Sequence, residues 1–158
     1  MENIIPLVSP VLTIIGWSIA YRLAKVNSTR TESKSLIEGC NSIIEKLAED
    51  GASFFLKEES SNEEKKSFES LVFNKLTLLH NKFEYLQKRG IELPLDNISN
   101  FHIALTNSIP QHGNSELRNE KCVNDIYRNA SSIILLLQMK FHDKYPPIDS
   151  LMSLKKLF

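Results

Sequence analysis

The chain has 158 residues, 42% of them hydrophobic, and its 19 basic and 19 acidic side chains cancel to a formal charge of zero. That length allows one domain with a modest core, and the charge balance excludes the basic footprint of a nucleic-acid binder. Five glycines, two cysteines and few alternating apolar/polar runs argue against sheets and against a disulfide framework.

The first element is the run from Ile4 to Tyr21, IIPLVSPVLTIIGWSIAY, which contains no charged residue. Its 18 residues just meet the roughly 17–25 that an α-helix needs to cross a hydrocarbon core. Nine are Ile, Leu or Val, each favouring insertion by roughly 0.3–0.6 kcal/mol near the helix centre. Pro6 costs little in a first turn, whereas Pro10 removes a backbone bond or bends the helix. Trp17 and Tyr21 stand near one end, where amphipathic rings favour the headgroup layer.

A cleaved leader would carry its positive charge ahead of the apolar run. Here Glu2 precedes the run, and Arg22, Lys25, Arg30 and Lys34 follow it. The pattern therefore predicts a retained single-pass anchor. The positive-inside rule orients it with the short N-terminus outside and everything after Tyr21 in the cytoplasm. A buried helix of a soluble bundle and a helix lying in the interface compete with this reading, but the run shows no polar face. Ser9, Thr13, Gly16 and Ala20 recur at steps of four, three and four, which puts small residues on one stripe. Such stripes let helices approach closely in lipid, so the anchor is a candidate for self-association.

Beyond the anchor the pattern is helical. The first helix continues, or breaks briefly, near Val26 to Arg30. Leu36/Ile37, Cys40, Ile43/Ile44, Leu47 and Phe54 then recur at the steps of an amphipathic helix, with Gly51 predicting an end near Asp50 and a restart at Phe54 to Leu56. The polar stretch from Lys57 to Ser67 reads as a turn, and Ser61 with Glu64 forms a capping box. A helix follows over 62–89, with Phe68, Leu71/Val72, Leu76, Leu79, Phe83 and Leu86 on one face and Gly90 as its stop. A shorter helix is predicted over 96–108, capped by Asp96 or Asn97 and closed by Pro110. Pro110 to Gly113 is a turn. Asn114 or Ser115 opens the last helix, whose apolar face is Val123, Ile126/Tyr127, Ala130, Ile133/Ile134, Leu137 and Phe141. The tail from Asp149 to Phe158 is amphipathic, with Lys155 and Lys156 opposite Leu151, Leu154, Leu157 and Phe158; it is expected to pack back onto the bundle, the alternative being that it lies on an anionic membrane surface.

Site chemistry is sparse. His80, His102, His112 and His142 include no pair at the four-residue spacing of zinc ligands on a helix, and no Cys-x-x-Cys exists. Cys40 and Cys122 read as small core residues. Glu58, Glu59, Glu63 and Glu64 lack the Glu-x-x-His of di-metal bundles and read as a solvated turn. No phosphate-binding loop or nucleophile elbow is present.

Ile15-Gly16-Trp17, then Arg22 and Arg30, then a helix carrying Leu36, Ile37, Ile43, Ile44 and Leu47, resembles a broad class of small single-pass bacterial and prophage membrane proteins. The likeness covers about the first 50 residues. It implies a bacterial inner-membrane setting and, for some such proteins, a role in phage exclusion or defence. No functional residue is carried over from it.

The chain is thus expected to be all-α, a transmembrane helix followed by a bundle of three or four helices. The anchor occupies 1–26, a basic juxtamembrane segment 27–35, a cytoplasmic bundle 36–145 and the tail 146–158. The expected function is a non-enzymatic interaction module at the cytoplasmic face, touching the bilayer and a protein partner, with no cofactor, metal or nucleic acid. The alternative is a membrane-perturbing effector of phage-defence or toxin type that forms homo-oligomers through its anchor.

Overall fold

The computed structural model describes residues 5–57, 60–93, 95–106 and 116–146, with side chains described for 10–57, 60–93, 96–106 and 120–146. These residues form four α-helices and no strand: α1 (Ile5–Phe55), α2 (Asn62–Lys88), α3 (Leu95–Thr106) and α4 (Glu116–Lys144). The chain divides into two compact units, Met1–Ser35 and Leu36–Phe158. The turn at Pro110 to Gly113, the cap at Asn114 or Ser115 and the tail from Asp149 onward lie outside the described residues.

In the first unit α1 runs through Val26 to Arg30 without interruption. Neither glycine nor proline occurs between Gly16 and Gly39. The hydroxyls that could have favoured a turn donate back into the helix instead. Ser18 reaches the Ile14 carbonyl at 2.9 Å, Thr29 that of Lys25 at 2.9 Å, Thr31 that of Asn27 at 3.0 Å, and Ser33 that of Thr29 at 2.7 Å. Pro10 is accommodated inside the helix.

The second unit closes a single core. α1 contributes Ile37, Cys40, Ile44, Leu47, Phe54 and Phe55; α2 contributes Phe68, Val72, Leu79, Phe83 and Leu86. α3 adds Phe101, Ala104 and Leu105, and α4 adds Ile126, Ala130, Ile133, Leu137 and Phe141. Steps of three and four put each set on one stripe. α3 packs on α4 and α2 on α3. Where α1 hands over to α2, Phe54 stacks on Phe68 at 4.3 Å between centroids, and Phe55 meets both rings edge-on.

Several expectations are corrected. α1 does not end near Asp50. A Cβ built at Gly51 would lie 2.7 Å from Leu105 Cδ2 and 3.3 Å from Ile126 Cδ1, so the glycine marks close packing rather than a break. α3 starts at Leu95, which places Asp96 and Asn97 in its first turn and not at its cap. Asn97 instead donates to the Ser132 hydroxyl of α4 at 3.3 Å. Leu71 and Tyr127 are exposed, their neighbours Val72 and Ile126 being the buried members of each pair. In the apolar run from Ile133 to Leu137 the two ends are buried and Leu135 points outward.

Candidate functional site

The first described stretch of α1 is unlike the rest of the molecule. Every described side chain from Pro10 to Ser28 is exposed. Among them are nine large apolar or aromatic groups: Val11, Leu12, Ile14, Ile15, Trp17, Ile19, Tyr21, Leu23 and Val26. They cover the helix except along the face of Thr13, Gly16 and Ala20, and no charged residue breaks the helix surface between Pro10 and Tyr21. The hydroxyl of Ser18 is already bonded within the helix, so it exposes no unsatisfied donor there.

Of the small-residue stripe, Thr13, Gly16 and Ala20 are exposed, and the side chain of Ser9 lies outside the described residues. Nothing lies within 4 Å of a Cβ built at Gly16. Arg22, Lys25 and Lys34 are exposed and Arg30 is half-buried. A depression lined by Thr13, Ile14, Trp17, Ser18 and Tyr21 has walls from one helix only, so it is a surface groove that cannot enclose a small molecule.

Among the described residues, no helix is long and apolar enough to cross a membrane. The expected span from Ile4 to Tyr21 begins outside them, and its described side chains, from Pro10 on, number 12. Twelve helical residues rise about 18 Å, short of a hydrocarbon core of about 30 Å. Residues 4–9 therefore decide whether the run can span.

The bundle offers no reactive constellation among its described residues. Cys40 and Cys122 are buried free thiols. Burial pushes the Cys40 thiol up to about 11, against an opposing pull from Lys82, which withholds the thiolate that nucleophilic chemistry requires. His80 faces only Glu84, at 3.6 Å, on the surface. His102 and His142 are exposed, and His112 lies outside the described residues. No described group of three or more His, Cys, Asp or Glu could hold a metal ion.

Of the acidic cluster, Glu64 is half of the capping box expected with Ser61. Its backbone N–H donates to the Ser61 hydroxyl oxygen at 3.2 Å, while its carboxylate accepts from the Ser61 N–H at 2.9 Å and from Lys57 at 3.3 Å. Those contacts, the Ser61 N–H first and then Lys57, hold its carboxyl below the ordinary range. Glu63 shares the first turn of α2, and Glu58 and Glu59 lie outside the described residues. The cluster is thus helix-capping apparatus in the part that is described. Comparison with protein families, with curated proteins and with solved structures finds no match for this chain.

Proposed function

We propose that the N-terminal stretch of α1 anchors the chain in a membrane and that the helical bundle is a non-enzymatic interaction module at the cytoplasmic face. The observation that carries this reading is the set of nine exposed apolar and aromatic side chains between Val11 and Val26. Moving that many from water into hydrocarbon is worth on the order of 10 kcal/mol, comparable to the whole stability of a domain, about 5–15 kcal/mol. Residues 4–9 supply the length that the described side chains lack, and Arg22, Lys25, Arg30 and Lys34 set the direction. A bacterial inner membrane, with the N-terminus outside, is the setting that this polarity and the resemblance support.

Alkaline carbonate washing of membranes tests the anchor: the full chain should stay in the pellet, and release into the supernatant would overturn the reading. Affinity capture of the full chain from detergent-solubilised membranes tests the module. A stoichiometric protein partner should co-purify, and reproducible recovery of the chain alone would count against that role.

A second reading, a membrane-perturbing effector that oligomerises through the anchor, is favoured by the open face at Gly16. It predicts growth arrest and depolarisation on overexpression, both relieved by Gly16→Leu. An unchanged membrane potential would dispose of it.

A further inference from the structure

We propose that the band of α1 around Trp17, Tyr21, Arg22 and Lys25 binds anionic phospholipid headgroups in preference to zwitterionic ones. The inference rests on the anchor reading and adds to it the class of lipid. Trp17 and Tyr21 are 78% and 70% exposed and stand four residues apart, so both rings share one stripe of the helix. Rings of this kind settle at the boundary between hydrocarbon and headgroups.

The helical rise then fixes where the charges fall. Measured from Tyr21, where the apolar run ends, Arg22 and Lys25 stand about 2 and 6 Å further along, and the polar layer on each side of a bilayer is about 5–8 Å deep. Arg22 and Lys25 therefore both lie among the headgroups. Arg30 is about 12 Å further along than Arg22, roughly one Debye length at ordinary ionic strength, and Lys34 is further still. The lipid contact belongs mainly to Arg22 and Lys25.

Their charge is uncompensated. No acidic residue occurs between Trp17 and Thr31. Neither Arg22 nor Lys25 has an ion-pair partner among the described residues, whereas Lys46, Lys57 and Arg128 of the bundle all do. The first carboxylate along the helix, Glu32, accepts the Ser28 hydroxyl at 3.2 Å and stands about 15 Å from Arg22. A zwitterionic surface gives such cations no net potential to respond to. An anionic one strengthens association by about fivefold per Lys or Arg held near it.

Trp17 is the only tryptophan of the chain, so its fluorescence reports this band directly. The full chain is reconstituted in phosphatidylcholine vesicles that carry equal minor shares of either brominated phosphatidylglycerol or brominated phosphatidylcholine, and Trp17 quenching is titrated. The phosphatidylglycerol probe should associate about fivefold or more strongly, and about 1 M NaCl should remove most of the difference. In the double variant Arg22→Gln/Lys25→Gln both probes should quench alike, the remaining quenching showing that the chain is still inserted.

Equal quenching of the native chain by the two probes would overturn the lipid preference and leave the anchor standing. No quenching by either probe would overturn the anchor and the inference with it. A preference surviving in the double variant would overturn the assignment to these residues. Loss of the preference to inorganic phosphate, beyond that caused by NaCl at equal ionic strength, would mean a free-anion site and would overturn the lipid assignment.

Discussion

Cys40 and Gly51, about three turns apart on α1, show how little room this core leaves. Cys40 is fully buried, and its thiol rises from 9.0 to about 11 because the thiolate would lose its water. A raised folded pKa contributes stability that is complete below the unfolded value and lost as pH climbs through the folded one. The alkaline window from about 9 to about 11 should therefore cost about 2–3 kcal/mol, and Cys40→Ala should flatten it in denaturant titrations across that range. Alkylation of the native protein near neutral pH should leave Cys40 unmodified. At Gly51 two effects compete. Alanine gains about 1 kcal/mol of helix propensity, while forcing a methyl against buried Leu105 costs about 1–3 kcal/mol. Leu105 is fully buried and a second side chain, Ile126, stands 3.3 Å from the same point, so Gly51→Ala should lower the denaturation midpoint. Gly16→Ala, with open space around it, should not.

At the scale of elements, α2 is specified at both ends by local chemistry. Ser61 and Glu64 close its capping box. At the other end Gly90 adopts φ +75°, the Gly90 N–H reaches the Gln87 carbonyl at 2.8 Å, and the Ile91 N–H reaches that of Leu86 at 3.0 Å. This is a Schellman stop, sealed by the burial of Leu86 and Ile91. Ser61→Ala and Gly90→Ala should each destabilise the bundle by about 1 kcal/mol in chemical denaturation. Acidification should weaken the cap as pH falls through the lowered pKa of Glu64, since the carboxylate, not the acid, accepts these bonds. Such signals are short-range, and for that reason they were legible in the sequence, as were the core stripes of α2 and α4. What was not legible required three dimensions. Gly51 carries the same local signature whether it breaks a helix or admits Leu105. Leu71 beside Val72, and Tyr127 beside Ile126, satisfy the same period to within one position, and only neighbouring helices decide which member turns inward. The start of α3 at Leu95 was missed because Asp96 and Asn97 are good caps in isolation, while the packing of α3 on α4 uses Asn97 for a bond to Ser132.

For the whole molecule, the core and the exposed apolar helix are built from separate stretches of chain. Among the described residues, the buried core residues lie between Ile37 and Phe141. A chain lacking residues 1–27 should therefore keep the helical signal and cooperative unfolding of the bundle while leaving the membrane fraction. Loss of cooperative unfolding would show that the first stretch supports the core. The central claim is the anchor and its direction, and a topology assay tests it most directly. Reporters active on only one side of the inner membrane are fused after Lys34 and, separately, after Phe158 of the full chain. Both fusions should report the cytoplasmic side, and a reporter placed ahead of Met1 should report the opposite side. The same side for the N-terminal and Lys34 reporters would mean that the run from Ile4 to Tyr21 does not cross, and would contradict the account.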